Sequence, residues 1–305
     1  MSTPMVNTNF AELHDIRFQR IANEEYDKHP DIVEKLFTNQ EHNGRDSMTF
    51  NAVSAIGDFR AFNGSVTYND LHMMYTTEMF YQEFTNGFQV ERRLFDDDQY
   101  HIFDAKPKQL ARSAWRLKQE HGARVFNSAF SVDTLFYTQE EGKALCSDTH
   151  LTTTGASTAS GFDNVITGAL TATSVATGRI QMCQLVGTQG ERIRVEPDIL
   201  VFPPGKYEQA FEIVKSPGKL DTANNNGNVH EGRYKLIEWN YLTSANNWFM
   251  IDETLMKDHL LWSDRIPLEY GFIEDFETFA AKYRAYKRHA WCWTDWRWIL
   301  GSNVA

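Results

Sequence analysis

Three residues that could form a nucleophilic site lie close together in the segment "LCSDTH": Cys146, Asp148 and His150. A thiol beside a histidine and a carboxylate can act as an activated nucleophile, but such triads depend on three-dimensional geometry and not on adjacency in the chain. Spacings of two and four residues in a predicted loop do not align a thiol with a base. We therefore predict no catalytic residue here.

No pattern in the chain predicts a metal or cofactor site. The ten histidines never occur as HxxxH or HExxH, the spacings that place two ligands on one helix face. The acidic run Asp96 to Asp98 lacks the glycine and the distal glutamate of a calcium loop, and no glycine-rich phosphate loop is present. Three separated cysteines without CxxC spacing favour folding in a reducing cytoplasm. We predict no cofactor, no metal and no enzymatic activity.

A dense group of tryptophans lies near the end of the chain, in "HAWCWTDWRWILGS": Trp291, Trp293, Trp296 and Trp298 are half of the eight tryptophans. They could form a stacking platform for sugars or nucleobases, or part of a core. In a continuous strand the first two would face one side and the last two the other. A platform needs all rings on one exposed face, and large indoles rarely stay exposed, so we predict a structural core.

Polar residues lie between these rings. A bulge at Thr294 and Asp295 could bring the two tryptophan pairs together. Asp295 and Arg297 are predicted to form a structural or intersubunit ion pair. A monomeric carbohydrate-binding or hydrolytic protein that uses Asp295 is the alternative from a different class.

The strongest helix prediction covers residues 104–130. Asp104 could cap its first turn, and Pro107 suits that turn because its missing N–H would have no partner there. One face of this predicted helix carries Lys108, Arg112 and Arg116, four residues apart. This stripe is either a solvated face or faces an anion.

The elements around this helix differ in composition. Residues 1–47 have too little apolar content to fold alone and are predicted to be mobile or laid against another surface. Residues 48–103 are rich in aromatic and β-branched residues, with Asn63-Gly64 and Asn86-Gly87 as hairpin signals. A loop-rich α/β middle follows, and residues 264–301 read as nearly continuous strand. The predicted class is α+β.

Composition limits the possible functions. The chain has 305 residues, 42% of them hydrophobic, and a net charge of −11. Such a surface repels phosphate backbones on average, so any contact with nucleic acid must be local. No segment has the character of a signal peptide or the length of a membrane span.

Four segments carry a family resemblance: "GKALCSDTH" (Gly142 to His150), "VEPDILVFPPGKYEQAFEIV" (Val195 to Val214), "RYKLIEWNYLTSANNWFMID" (Arg233 to Asp252) and "TDWRWILGS" (Thr294 to Ser302). Their order and spacing resemble the major capsid proteins of tailed bacteriophages, with the Mu-like major head subunit as the branch of greatest similarity. The first half of the chain resembles the family in layout only.

The resemblance implies a Hong Kong 97-like phage capsid fold. It would have an N-terminal arm at 1–47, an extended β-hairpin loop at 48–100, and a peripheral domain with a spine helix at 101–132 plus 260–305. An axial domain would occupy 133–259. The terminal tryptophans would belong to the sheet that packs on the spine helix.

The resemblance also implies a function and partners. The subunit would self-assemble into pentons and hexons of an icosahedral virion shell around double-stranded DNA, in the host cytoplasm and without a membrane. Its partners would be a portal protein and a separate scaffolding protein, with a decoration protein as an optional third. The basic stripe would face the DNA. An encapsulin-like protein compartment is the alternative that shares this fold.

The covalent cross-linking found in some members of the family lacks its lysine in the extended loop of this chain. Some members cross-link neighbouring subunits through a lysine in the extended loop, but no lysine lies between Lys35 and Lys106. We therefore predict a shell held by non-covalent contacts.

Overall fold

A computed structural model of the chain describes residues 18–91 except 60, 63, 67 and 69, and residues 105–304 except 153–154, 158–160, 219–226, 276 and 278–279. The first part of the predicted arm, the acidic run at Asp96 to Asp98, the predicted cap Asp104 and Asn63 of the first hairpin signal lie outside this part of the chain.

Helices and strands alternate irregularly along the described residues. The helices are α1 (residues 18–26), α2 (Val33–Leu36), α3 (Ala105–Asn127), α4 (Ala172–Cys183), α5 (Tyr207–Lys215) and α6 (Glu253–His259). The strands are β1 (Thr38–Asn39), β2 (Ser47–Val53), β3 (Met73–Phe80), β4 (Gln82–Glu91), β5 (Tyr137–Gln139), β6 (Leu151–Thr152), β7 (Gly155–Ala156), β8 (Val165–Ile166), β9 (Ile199–Phe202), β10 (Lys235–Glu238), β11 (Trp248–Ile251), β12 (Leu260–Glu274), β13 (Ala280–Trp293) and β14 (Ile299–Ser302).

The predicted long helix is confirmed as α3. Its buried face includes Leu110, Ala123 and Phe126, and Pro107 lies in its first turn, where a missing N–H leaves no hydrogen bond unmade. Gly122 lies at a close contact with α2, because an added Cβ atom would come within 2.4 Å of Val33. The second half of the predicted arm is therefore laid against this helix.

A four-stranded sheet in the order β1-β12-β13-β4 packs on α3. Its long antiparallel pair, β12 and β13, contains register shifts between Asp264 and Glu269. The turn predicted at Asn86-Gly87 is wrong: these residues lie inside β4, opposite Ala285 and Arg284. Glycine is needed there for close approach, since an added Cβ atom at Gly87 would lie 2.5 Å from the carbonyl oxygen of Tyr283.

A five-stranded sheet in the order β10-β9-β11-β14-β8 forms the centre of the main core, and β9, β11 and β14 are buried along their whole length. The nearly continuous strand predicted for residues 264–301 is wrong at its end. β13 stops at Trp293, residues 294–298 form bends and turns, and β14 continues in this second sheet, antiparallel to β11. The two tryptophan pairs therefore do not lie on opposite faces of one strand.

A β-hairpin formed by β2 and β3 extends from the rest of the chain and pairs with β5. It is shorter than the sequence predicts, because β4 joins the four-stranded sheet instead. The described residues between β2 and β3 belong to the loop of this hairpin, and the Ala55 N–H donates a hydrogen bond to Thr188 Oγ1 at its base (2.8 Å).

Candidate functional site

The terminal tryptophans form core and not a binding platform. Trp291, Trp293, Trp296 and Trp298 are all 0% exposed. The Trp293 indole N–H donates to the Tyr137 hydroxyl (2.7 Å). Because no ring reaches solvent, a sugar or a base cannot stack on them. The carbohydrate-binding alternative therefore loses the observation that suggested it.

His150 and Trp296 form a buried stack, with ring centroids 3.9 Å apart and nearly parallel planes. His150 Nδ1 lies 2.9 Å from Glu141 Oε1, and His150 Nε2 lies 3.1 Å from Asn164 Oδ1. Both ring nitrogens are engaged by these two partners, which leaves neither available to activate the Cys146 thiol. Burial raises the pKa of that thiol, which disfavours a thiolate nucleophile.

The hydrogen bonds of Asn164 show that Nε2 of the His150 ring is a hydrogen-bond donor. Its Nδ2 donates to the carbonyl oxygens of Leu145 (2.9 Å) and Ile299 (3.0 Å), and its Oδ1 accepts from the Ser147 N–H (2.8 Å). The amide oxygen therefore faces the histidine, and His150 Nε2 must be the donor. The segment "LCSDTH" therefore has a structural role: its hydrogen bonds and the His150 ring connect this loop to the turn before β14.

Asp295 and Arg297 form an ion pair within the chain, with Arg297 Nη1 2.9 Å from Asp295 Oδ2. Arg297 Nε also donates to the carbonyl oxygen of Val186 (2.8 Å), and the guanidinium lies over the Trp296 ring at 4.6 Å. Burial is the largest single influence on Asp295 and opposes its ionisation, but the charges of Arg297 and His259 together with the hydrogen bonds from Arg297 outweigh burial, and the pKa of the carboxyl lies below its ordinary value. The structural form of the predicted pair is therefore present in the single chain.

A buried polar junction that the sequence reasoning missed lies between α3 and β13. His121 Nδ1 lies 2.9 Å from His289 Nε2, and the Trp262 ring stacks on His289 at 4.8 Å. Burial is the main cause that lowers the pKa of His121, to about 4, and that holds the pKa of His289 well below its ordinary value. Both histidines are therefore neutral at pH 7.

Two buried lysines flank this histidine pair. Lys287 Nζ lies 3.1 Å from Asp264 Oδ1, and Lys118 Nζ lies 2.5 Å from Asp31 Oδ2 and 3.1 Å from Glu34 Oε1. Burial is the largest single influence on Lys118 and acts to lower its pKa, but the hydrogen bonds and charges of Asp31 and its other partners together outweigh burial and raise the pKa. One sequence signal could have revealed Lys287 and His289: they continue the two-residue period of buried positions along β13.

The loop of the β2–β3 hairpin exposes a row of large apolar side chains. Phe59 is 107% exposed, Tyr68 87% and Phe62 77%. The loop also exposes Ile56, Val66 and Leu71, and Val53 and Met73 are exposed at the adjoining ends of β2 and β3. Large exposed apolar side chains concentrated in one segment indicate a protein contact.

The basic stripe on α3 is exposed, as its spacing predicts. Arg112 forms an ion pair with the buried Glu25 at 2.7 Å, and the hydrogen bond from Arg112 is the main cause that lowers the pKa of Glu25. Within the described residues, Lys108 and Arg116 form no ion pair. Two charges of the stripe therefore remain available to an external anion.

Two features are absent from the part of the chain that the structure describes, a membrane-spanning helix and a cluster of metal-ligating side chains. No helix there combines the length and the apolar character needed to cross a bilayer. The same residues contain no group of three or more histidine, cysteine, aspartate or glutamate side chains that could hold a metal ion.

The fold resembles the Hong Kong 97-like architecture of solved capsid structures. The chain is similar to the capsid of the cyanophage P-SCSP1u (TM-score 0.60, 11% identity, 90% of this chain and 88% of that chain). It is similar to the capsid of a native GTA particle (TM-score 0.57, 12% identity, 90% and 89%). It is also similar to a virus-like particle from Pyrococcus furiosus (TM-score 0.54, 8% identity, 94% and 98%).

The sequence also assigns the chain to a family. A family model described as phage capsid protein matches residues 80–301, so the chain belongs to the phage capsid protein family. Its function is that of a major capsid protein. A comparison with curated protein sequences finds no match.

Proposed function

We propose that this major capsid protein assembles as pentamers and hexamers into an icosahedral shell that encloses double-stranded phage DNA. The observation that carries the proposal is the apolar hairpin loop between β2 and β3, which leaves side chains such as Phe59 in solvent. A single subunit cannot bury this surface itself, whereas a closed symmetric assembly covers it on every subunit. The proposed location is the virion capsid, after assembly in the host cytoplasm.

The domain assignment is part of this proposal. The arm would be 1–47, the extended loop 48–100, the peripheral domain 101–132 plus 260–305 and the axial domain 133–259. The packing of α3 on the four-stranded sheet supports its assignment as the spine helix. The Mu-like branch is proposed on the four motifs of the second half.

Further partners belong to the same proposal: a portal protein and a separate scaffolding protein, with a decoration protein as an optional third. Lys108 and Arg116, with Arg112 largely neutralised by Glu25, are proposed to face the packaged DNA. The family match favours this reading over an encapsulin-like compartment. DNA in purified particles supports a phage shell, whereas an enclosed enzyme would support the compartment.

The hairpin loop provides the direct test of assembly. The double variant Phe59→Ser, Phe62→Ser is expected to fold with the wild-type circular dichroism spectrum but to give at least about tenfold fewer shells, because two large apolar contacts are lost at every interface. Sedimentation and negative-stain microscopy measure the yield. The control Ile180→Ser changes an exposed apolar residue on α4 (54% exposed) and should leave the yield unchanged. Equal yields from both variants would contradict the proposal.

A second expectation concerns how the shell is held. Mass spectrometry of denatured particles is expected to show a single species at the chain mass of 35.2 kDa, because no lysine lies between Lys35 and Lys106 to cross-link the extended loop. A ladder of covalent oligomers would refute non-covalent assembly.

A further inference from the structure

A cleft of about 700 Å³ opens where the last turns of α4, the segment before β9 and the first turn of α6 meet. Three arginines, Arg179, Arg194 and Arg233, line this cleft. Such a concentration of cations is unusual on a chain whose net charge is −11. The cleft is separate from the hairpin loop and from the basic stripe on α3.

The carboxylates in the cleft are already engaged by other groups of the chain. Asp252 accepts hydrogen bonds from the first-turn N–H groups of α6 (2.9 and 3.1 Å) and from the Glu196 N–H (2.7 Å). Asp198 accepts from the N–H of Glu253 (2.9 Å). Glu196 pairs with Arg194 at 3.0 Å. No carboxylate among the described residues that line the cleft forms an ion pair with the other two arginines, although their charges act on Glu196 at longer range and help to lower its pKa.

Arg179 and Arg233 form no ion pair within the described residues. Both lie near the buried phenol of Tyr234. Burial raises the pKa of Tyr234, and the charges of Arg233 and Arg179 oppose that rise. Tyr234 itself does not line the cleft, and its buried hydroxyl, which has no hydrogen-bond partner among the residues that the structure describes, is not a ligand of the site.

We propose that this cleft binds a phosphate group, with Arg179 and Arg233 as its ligands. Two guanidinium groups supply up to ten N–H donors, more than the two oxygens of one carboxylate can accept, whereas a phosphate offers three or four oxygens. The double negative charge of a phosphate monoester also matches two arginines. The phosphate has two possible sources, a free phosphate compound or the backbone of a nucleic acid.

Calorimetric titration of the full-length chain with pyrophosphate tests the site. We expect saturable binding of about one pyrophosphate per chain, weakened about tenfold or more in the double variant Arg179→Gln, Arg233→Gln, since each charge-assisted hydrogen bond contributes at least this much. Arg179→Lys keeps the charge without the guanidinium fork and should give an intermediate loss. Arg45→Gln changes an exposed arginine outside the cleft and should bind as the wild type does. Circular dichroism and the thermal midpoint without ligand show that each variant is folded.

Parallel titrations with a short DNA duplex separate the two sources. If pyrophosphate displaces the duplex and the double variant weakens both, the ligand is a backbone phosphate. If the duplex neither binds through these arginines nor competes, the ligand is a free phosphate compound. Both results support the site.

Three results would overturn the proposal. The first is the absence of pyrophosphate binding, and the second is binding that the double variant leaves unchanged. The third is malonate binding as tight as that of pyrophosphate together with a loss of shells in the double variant, which would assign the arginines to an acidic segment of a neighbouring subunit. The wild-type shell yield, measured separately, reports on the proposed assembly and not on this cleft.

Discussion

Replacing Trp296 with alanine is expected to lower the free energy of unfolding by about 3–5 kcal/mol, the usual cost of truncating a large buried aromatic side chain. The Trp296 indole is 0% exposed and stacks between the His150 ring at 3.9 Å and the Arg297 guanidinium at 4.6 Å. Its removal leaves a cavity beside the buried His150 ring and the Asp295–Arg297 ion pair. These polar groups are unfavourable neighbours for an apolar void. Chemical denaturation of subunits dissociated from shells measures the loss.

A matched pair of variants separates packing from simple loss of size. Trp296→Phe keeps a ring that can stack on His150 and should cost less than half as much as the alanine variant. Trp115→Ala truncates a tryptophan that is half-buried on α3 and should also cost less. An alanine variant at position 296 as stable as wild type would remove the main support for a structural role of the terminal tryptophans.

The sequence predicts some features well because local rules decide them. The long helix α3 follows from apolar spacing and the proline in its first turn. The burial of the four tryptophans follows from the large apolar area of an indole. The pairing of Asp295 with Arg297 follows from two opposite charges two residues apart between buried rings.

Other features depend on contacts between distant segments. The strand predicted through residues 294–298 is interrupted because the Trp296 ring packs on His150, nearly 150 positions earlier in the chain. No local pattern reveals that contact, so β14 could not be assigned to the second sheet. Asn86-Gly87 has the composition of a turn, yet pairing with β13 places it inside a strand. Tertiary pairing overrides local preference in both cases.

The five-stranded sheet shows the same limit. β10 and β11 follow one another in the chain as the strands of a hairpin would, but they do not pair: β9 lies between them, parallel to β10 and antiparallel to β11. Tyr207 and Phe211 fit the apolar period of α5, yet both remain about half exposed. Periodicity identifies a helix here but does not identify the face that the sheet covers.

Acidification is expected to destabilise the subunit through the buried histidine pair. Burial is the main cause that lowers the pKa of His121, to about 4, and the charges of Arg124 and Lys287 add to it. Burial, Lys287, His121 and Lys118 lower the pKa of His289 in the same way. Below pH about 6.5, therefore, these two histidines take up protons in the unfolded chain but stay neutral in the folded chain.

The sign of this effect gives a defined pH window. The contribution of the pair to stability is complete above pH about 6.5 and is lost as the pH falls towards 4, with a slope of up to about 1.4 kcal/mol per pH unit for each histidine. The pKa of Asp31 is also lowered, because burial acts to raise it but Lys118 and the other hydrogen-bond partners of Asp31 together outweigh burial. Protonation of Asp31 therefore removes further stability only at lower pH. Denaturation midpoints between pH 7 and 4.5 should therefore decline steadily.

A non-titrating variant isolates the histidine contribution. His121→Gln keeps a hydrogen-bonding side chain beside His289 but cannot take up a proton, so the loss of stability between pH 7 and 4.5 should become shallower by up to about 1.4 kcal/mol per pH unit. His42→Gln changes an exposed histidine and should follow the wild-type curve. A His121→Gln curve parallel to wild type would show that protonation of this pair does not govern the acid response. A shallower curve would make the contact between α3 and β13 the acid-sensitive element of the subunit, since His121 and His289 meet there.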